Sequence, residues 1–398
     1  MIRKGLITAL LGLPLLGALP AEAQFLAADL IYVPAAAHTS GLGASDWRSD
    51  FYITNVEGDV AVDVAMVFLP SGLTSNASRF FDRSTWLGGR DDDGFGSVDP
   101  LLADIPPGGT IVLRDPIGNY FLDEGGSGTS GGFVIFVYEA DTLEDDGTRV
   151  LKNGIVNTRV YTSTSFYQPD PENDGEFVEI TGTYGQTLPG VPWYNLSDPS
   201  AVTDEGNFSF QLLTGAGETE EMRYNLGIIN ASDPLTTIVV SIQPFRGNGE
   251  PFFDIDGNEM IEIVTMPPVS QVQYNSVLST LFGIAAAPDD VTIDVSFLRW
   301  SSGNNQPIVG MTTYGTYIDN NTNDPTAILP AFAYPYNVDC QWSSGDQKAA
   351  GASGGLPRVG RRPLEIPARR TGTDGRIDNK HAGDIIPPMR GEARRKGN

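Results

Sequence analysis

Period-two alternation dominates the chain. Asp59-Val60-Ala61-Val62-Asp63-Val64-Ala65-Met66-Val67-Phe68-Leu69 alternates and then runs into a continuous apolar stretch. Phe133-Val134-Ile135-Phe136-Val137-Tyr138 is short, apolar and preceded by Gly131-Gly132. Thr236 to Ile242 and Val291 to Leu298 alternate and are rich in β-branched residues. Such runs fit pleated, half-buried strands. Gly, Pro, Asn and Asp clusters between them read as turns. Helical periodicity is scarce: Tyr274 to Phe282 predicts one short helix or turn, with Asp115 to Phe121 as its counterpart. Many short strands with frequent turns predict an all-β fold of sandwich or barrel type.

The pattern repeats. Trp47 to Asn55 lines up with Met222 to Asn230, Ile105-Pro106-Pro107-Gly108-Gly109 with Met266-Pro267-Pro268-Val269-Ser270, and Ile155 to Tyr161 with Ile308 to Tyr314. Segments in the same order predict two tandem β-sandwich domains. The division reads as a signal peptide over 1–23, a first sandwich over 24–190, a connecting segment over 191–220, a second sandwich over 221–338 and a disordered basic tail over 339–398. Asn55 and Asn230 end their strands, where Asn bonds nearby backbone and tolerates left-handed dihedrals. Arg48 and Arg223 open theirs, and a structural ion pair with a nearby carboxylate is expected of each.

Arg3 and Lys4, the apolar Leu6 to Leu19 and the small-x-small Ala21-Glu22-Ala23 have the anatomy of a secretory leader. A secreted or periplasmic protein follows, possible surface association included, with no membrane span in the mature chain. Cys340 is the only cysteine, so no internal disulfide supports the fold. Residues 24–340 carry 11 basic and 43 acidic residues, a net of −32, whereas the tail from Gln341 carries +6. So acidic a body opposes nucleic acid and anionic lipid as partners.

Tyr32-Val33-Pro34-Ala35-Ala36-Ala37-His38, Trp47-Arg48-Ser49-Asp50 with Asn55, Gly182-Thr183-Tyr184-Gly185-Gln186-Thr187-Leu188-Pro189-Gly190 and Asp319 to Ala331 together resemble a pattern in exported bacterial proteins of uncharacterised function. The resemblance spans about Ile31 to Ala331. It implies paired immunoglobulin-like sandwiches and brings no established activity.

Catalytic chemistry finds little purchase. The two histidines are His38 and His381, so a Ser-His-Asp triad would have to use His38. No G-x-S-x-G elbow accompanies a strand-to-helix turn, and zinc of the His/Cys type lacks ligands. A packing or hydrogen-bonding role is expected of His38, and no catalytic, cofactor or metal residue is assigned. Four oxygen-rich loops, Asp91 to Gly94, Glu144 to Gly147, Asp170 to Gly175 and Asp254 to Glu259, allow weak calcium binding at one or two of them. Ordinary hairpin-turn chemistry is the preferred reading. Trp86, Trp193-Tyr194, Tyr334 and Tyr336 sit in loop-like contexts and suggest a polysaccharide surface, although sandwich cores also use such rings. The functional expectation is a non-enzymatic exported protein of structural, adhesive or protein-binding type. The alternative is a carbohydrate-binding or calcium-dependent module. Its protein or polysaccharide partner is not identified by sequence.

Overall fold

The computed structural model describes residues 26–41, 45–90, 94–122, 128–142, 149–169, 177–197, 210–304 and 309–333. The leader, the first three calcium-loop candidates in all or most of their length, Tyr334, Tyr336, Cys340, His381 and the tail lie outside them. The described chain is all-β.

The first ten strands are β1 (Leu30–Ser40), β2 (Asp46–Asn55), β3 (Val62–Pro70), β4 (Trp86–Gly88), β5 (Ser97–Val98), β6 (Thr110–Arg114), β7 (Thr129–Glu139), β8 (Gly154–Pro169), β9 (Phe177–Pro189) and β10 (Val191–Pro192). They form one hydrogen-bonded system that bends at β1. Most of β1 pairs with β7 and β10, giving sheet I in the order β5-β4-β3-β7-β1-β10. Its last residues, Thr39 and Ser40, pair with β2, which opens sheet II, β6-β2-β8-β9. A register shift between Val33 and Ala36, around Pro34, marks the bend. A bulge there is expected, because proline cannot donate to the ladder.

The remaining strands are β11 (Phe210–Glu218), β12 (Met222–Asn230), β13 (Thr236–Phe245), β14 (Glu262–Met266), β15 (Gln271–Tyr274), β16 (Ala287–Ser302), β17 (Met311–Asp319), β18 (Pro325–Ile328) and β19 (Ala331–Ala333). Sheet III runs β14-β13-β16-β11-β19 and sheet IV runs β15-β12-β17-β18. Strand for strand this is the pairing order of sheets I and II, with β5 the one addition in the first block. The stretch 191–220, read as a connector, contributes to both blocks. β10 pairs with β1, and β11 is an interior strand of sheet III.

Alternation decides the cores. Val62, Val64 and Met66 of β3 join Phe133 of β7 and Phe51 of β2 in one cluster, and Ile238, Val240 and Ile242 of β13 take the same positions in a cluster with Tyr224, Leu226 and Ile228. The outer faces differ. Over sheet I lies the excursion 71–104, with a short helix α1 (Ala77–Phe81). Its Trp86 stacks on Phe136 of β7 with centroids 5.4 Å apart, and Phe80 meets both rings edge-on. In the second block the corresponding segment is shorter, 246–261 ahead of β14, and its Phe252 packs into the second core. The paired positions Ser241 and Ser296 stand where Ala65 and Phe136 pair in the first. The uncovered face has become polar, while Ile263 on β14 stays 61 % exposed. The two one-turn helices fall where expected: a turn at Ile117–Phe121 and α2 (Val277–Phe282).

The blocks share a core. Ile229, Ala231 and Val269 of the second block pack into the cluster built on sheet I, and Tyr314 joins Ala35, Val160 and Leu188. Tyr32 Oη donates to Ala231 O at 3.1 Å, and Gly72 N to Gln271 O at 2.7 Å. The Pro267–Ser270 turn is the peg of this seam. Its counterpart has Gly108 at φ 69°, whereas Val269 adopts φ 52° with its side chain buried. A β-branched residue in the left-handed region is strained by about 1–2 kcal/mol. Burial of that side chain across the seam offsets the strain.

Candidate functional site

The strand-ending asparagines are buried clasps. Asn55 Nδ2 donates to Val60 O and Ile105 O, both at 2.9 Å, and its Oδ1 accepts from Glu57 N. Asn230 Nδ2 donates to Thr236 O, Met266 O and Pro267 O, and its Oδ1 accepts from Ser232 N. Each therefore ties a strand end to the start of the next strand and to the Pro-Pro turn. Neither lies in the left-handed region, so hydrogen bonding alone explains the asparagine. Pairing Asn55 with Gly154 and Asn230 with Met311 also fixes the later repeat. Ile155 corresponds to Thr312, so the sequence alignment of that segment is four residues out of register.

The densest group of described ionisable side chains surrounds His38, near the end of β1. Asp115 follows β6 with φ 41°. Its carboxylate accepts from Gly118 N and lies 2.8 Å and 3.0 Å from His38 Nδ1. Arg48 reaches Asp46 at 2.6 Å and Asp115 at 3.4 Å, which is the ion pairing expected of it. Asp50 is buried, accepts from Asp115 N and pairs with Arg114. That contact holds the Arg114 guanidinium above its ordinary value. Burial, then the charges of Asp50 and Asp115, push the Tyr161 phenol up. Gly118 lets the group close, since a Cβ there would stand 2.3 Å from His38 Nδ1 and 2.6 Å from the Asp115 carboxylate.

The same corner recurs in the second block with Asn225 and Ser276 in place of Asp50 and Asp115. Ser276, at φ 51°, replaces Asp115, and its N–H donates to Asn225 Oδ1, where Asp50 stands in the first block. Glu218, at the end of β11, accepts from Leu278 N and Ser279 N. Arg223, the counterpart of Arg48, binds the side-chain oxygens of Asn320 and Asn323 rather than a carboxylate, and desolvation lowers its pKa. The shared function of the corner is to turn the chain out of β6 or β15. His38 adds a paired Nδ1 to that corner, and no described hydroxyl bonds its other nitrogen as a triad would require.

The remaining candidates are dispersed. Trp86 and Trp193 are buried, and Trp193 Nε1 donates to Asp29 Oδ1 at 2.8 Å, so these two indoles are core groups rather than a stacking surface. Burial pushes the Asp29 carboxyl up, and the Trp193 bond opposes it. In the one fully described acidic loop, Asp254 Oδ1 accepts from Asp256 N and Asn258 N, with Gly257 at φ 84°. These bonds lower the Asp254 pKa and occupy the carboxylate in its own turn. Among the described residues no group of three or more His, Cys, Asp or Glu is placed to hold a metal ion. No described helix is long and apolar enough to cross a membrane.

One buried ion was not legible as such. Asp63, on the outer face of β3, is fully buried. Arg90 Nε lies 2.7 Å from it, and the same guanidinium reaches Asp104 and Asp141. Asp63 Oδ1 also accepts from Asp104 N at 2.8 Å. The signal was an Asp inside the alternating run, on the face that the excursion later covers. Comparison of the chain with known proteins finds no matching family model, no similar curated protein and no similar solved structure.

Proposed function

We propose that the chain is an exported, non-enzymatic protein of structural, adhesive or protein-binding type, built from two immunoglobulin-like sandwiches fused into one unit. The observation that carries this reading is the recurrence of the His38 corner. The second corner keeps one carboxylate, Glu218, and uses it to hold backbone N–H groups. This corner does the same structural work with Asn225, Ser276 and Glu218 as with Asp50, Asp115 and His38. The shared core across the seam supports a rigid scaffold that presents its outer faces and loops to a partner.

The test has two arms. Fractionation of producing cells is expected to place the processed protein outside the cytoplasm. A panel of ester, peptide and glycoside substrates is expected to return no turnover with the purified protein. Turnover that disappears in His38→Ala would overturn the non-enzymatic reading. Retention in the cytoplasm with an intact leader would overturn export.

A further inference from the structure

The seam is lined by the inner face of sheet II, where it passes beyond sheet I, and by the outer face of sheet IV. Its apolar centre is small: Ala35, Val160, Leu188 and Tyr314. Around it stand polar side chains that the alternation turns inward. Gln186 Nε2 donates to Thr316 Oγ1 across the seam at 3.1 Å. Tyr314 Oη donates to Gln273 Oε1 at 2.6 Å and receives a long 3.4 Å contact from Gln271 Nε2.

Four buried side-chain atoms on these two faces have no hydrogen-bond partner: Thr158 Oγ1, Gln186 Oε1, Gln271 Oε1 and Thr312 Oγ1. Their residues are 0 %, 9 %, 1 % and 0 % exposed. They are neighbours by register. Gln271 and Thr312 flank Ile229 from its two sides on sheet IV. Thr158 pairs with Leu188 on sheet II, and Gln186 is the next residue along the same face of β9. All four thus lie within two register positions of Tyr314 or of a residue packed on it.

Buried polar atoms in folded proteins are hydrogen-bonded to protein or to ordered water. Here two acceptor-only amide oxygens and two hydroxyls are divided between the two sheets of a junction, Thr158 and Gln186 on sheet II, Gln271 and Thr312 on sheet IV. They need a small guest with more than one donor, and water meets that need with two to four polar partners. We propose that the seam between the blocks binds ordered water, which bridges sheet II to sheet IV around Tyr314. The junction is then a hydrated joint at this point, unlike the apolar peg at Val269.

A crystal structure of the full chain, at a resolution that resolves waters, is expected to show water density within hydrogen-bond distance of at least two of the four atoms, bridging the sheets. Melting of Thr312→Val and Thr158→Val supplies a second readout. Loss of a bridged partner lowers the midpoint, whereas removing a truly orphaned polar atom raises it. A dry seam in the density, or midpoints at or above wild type in both variants, overturns the proposal.

Discussion

Replacing Arg90 by Leu removes the guanidinium that lies 2.7 Å from the carboxylate of Asp63, whose side chain is fully buried on the outer face of β3. Its Oδ1 also accepts from Asp104 N, a neutral donor. The Asp104 and Asp141 carboxylates on the same guanidinium are 62 % and 77 % exposed, so water screens them and their loss matters little. The Asp63 hydrogen bond is also the main reason that the Arg90 guanidinium is held above its ordinary value. Removing one member of a buried pair costs about 3–5 kcal/mol, because the other ion keeps its desolvation cost. At about 2–4 °C per kcal/mol for a cooperative unit of roughly 150–250 residues, the scale of the first block, Arg90→Leu lowers the melting midpoint by roughly 6–20 °C. The second block shows the remedy: Val239 occupies the position of Asp63. The double variant Asp63→Val with Arg90→Leu should therefore recover most of the loss, since an apolar replacement of a whole buried pair is often neutral. Differential scanning calorimetry on the wild type, the two single variants and the double variant gives the coupling. A single-variant cost under about 1 kcal/mol, or a double variant no better than Arg90→Leu, would refute the argument.

Further expectations follow from the same geometry. At Val269 the usual order reverses: Val269→Gly should be at least as stable as Val269→Ala, because glycine relieves a φ of 52° that alanine still suffers, and urea midpoints settle it. Asn55→Asp and Asn230→Asp should each destabilise by about 1–3 kcal/mol, since a carboxylate cannot donate to the carbonyls that the amides clasp, as chemical denaturation will show. Burial raises the Asp294 carboxyl above its ordinary value of 3.8, with Ser296 opposing. The folded state then holds this proton more tightly than the unfolded state, so the group costs stability as pH rises through 3.8 to the folded value and throughout the range above. Asp294→Asn should be more stable than wild type at neutral pH, with the gain disappearing on acidification below 3.8. An equal gain at every pH would contradict it.

Strand identity was legible because alternation and β-branching survive in single segments such as Thr236 to Ile242 and Val291 to Leu298. The repeat was legible where chemistry is distinctive, at the strand-ending asparagines and the Pro-Pro turns, whose side-chain and backbone bonds coincide in the two blocks. It slipped at Ile155 to Tyr161, because a shift of four residues leaves a period-two pattern unchanged and only pairing with Asn55 or Asn230 fixes the register. Trp86 and Trp193 looked like surface rings because sequence shows their loop-like neighbours and not the sheet they cover. The His38 corner was invisible for a related reason: His38 near the end of β1, Asp50 in the middle of β2 and Asp115 just after β6 are far apart in sequence and meet only in the folded sheet.

The placement of β1 and β11 sets the order in which the molecule can assemble. β1 lies between β7 and β10, and β11 between β16 and β19, so the first strand of each block is completed only by the last. The pairing Ile31↔Pro192 joins residues at the two extremes of its block. Such long-range closure makes folding slow compared with chains rich in local contacts. A polypeptide emerging from a ribosome must wait with β1 half-paired until Pro192 is released. Under the proposed export, that delay would keep the chain threadable, since the native topology can close only after the whole block has arrived.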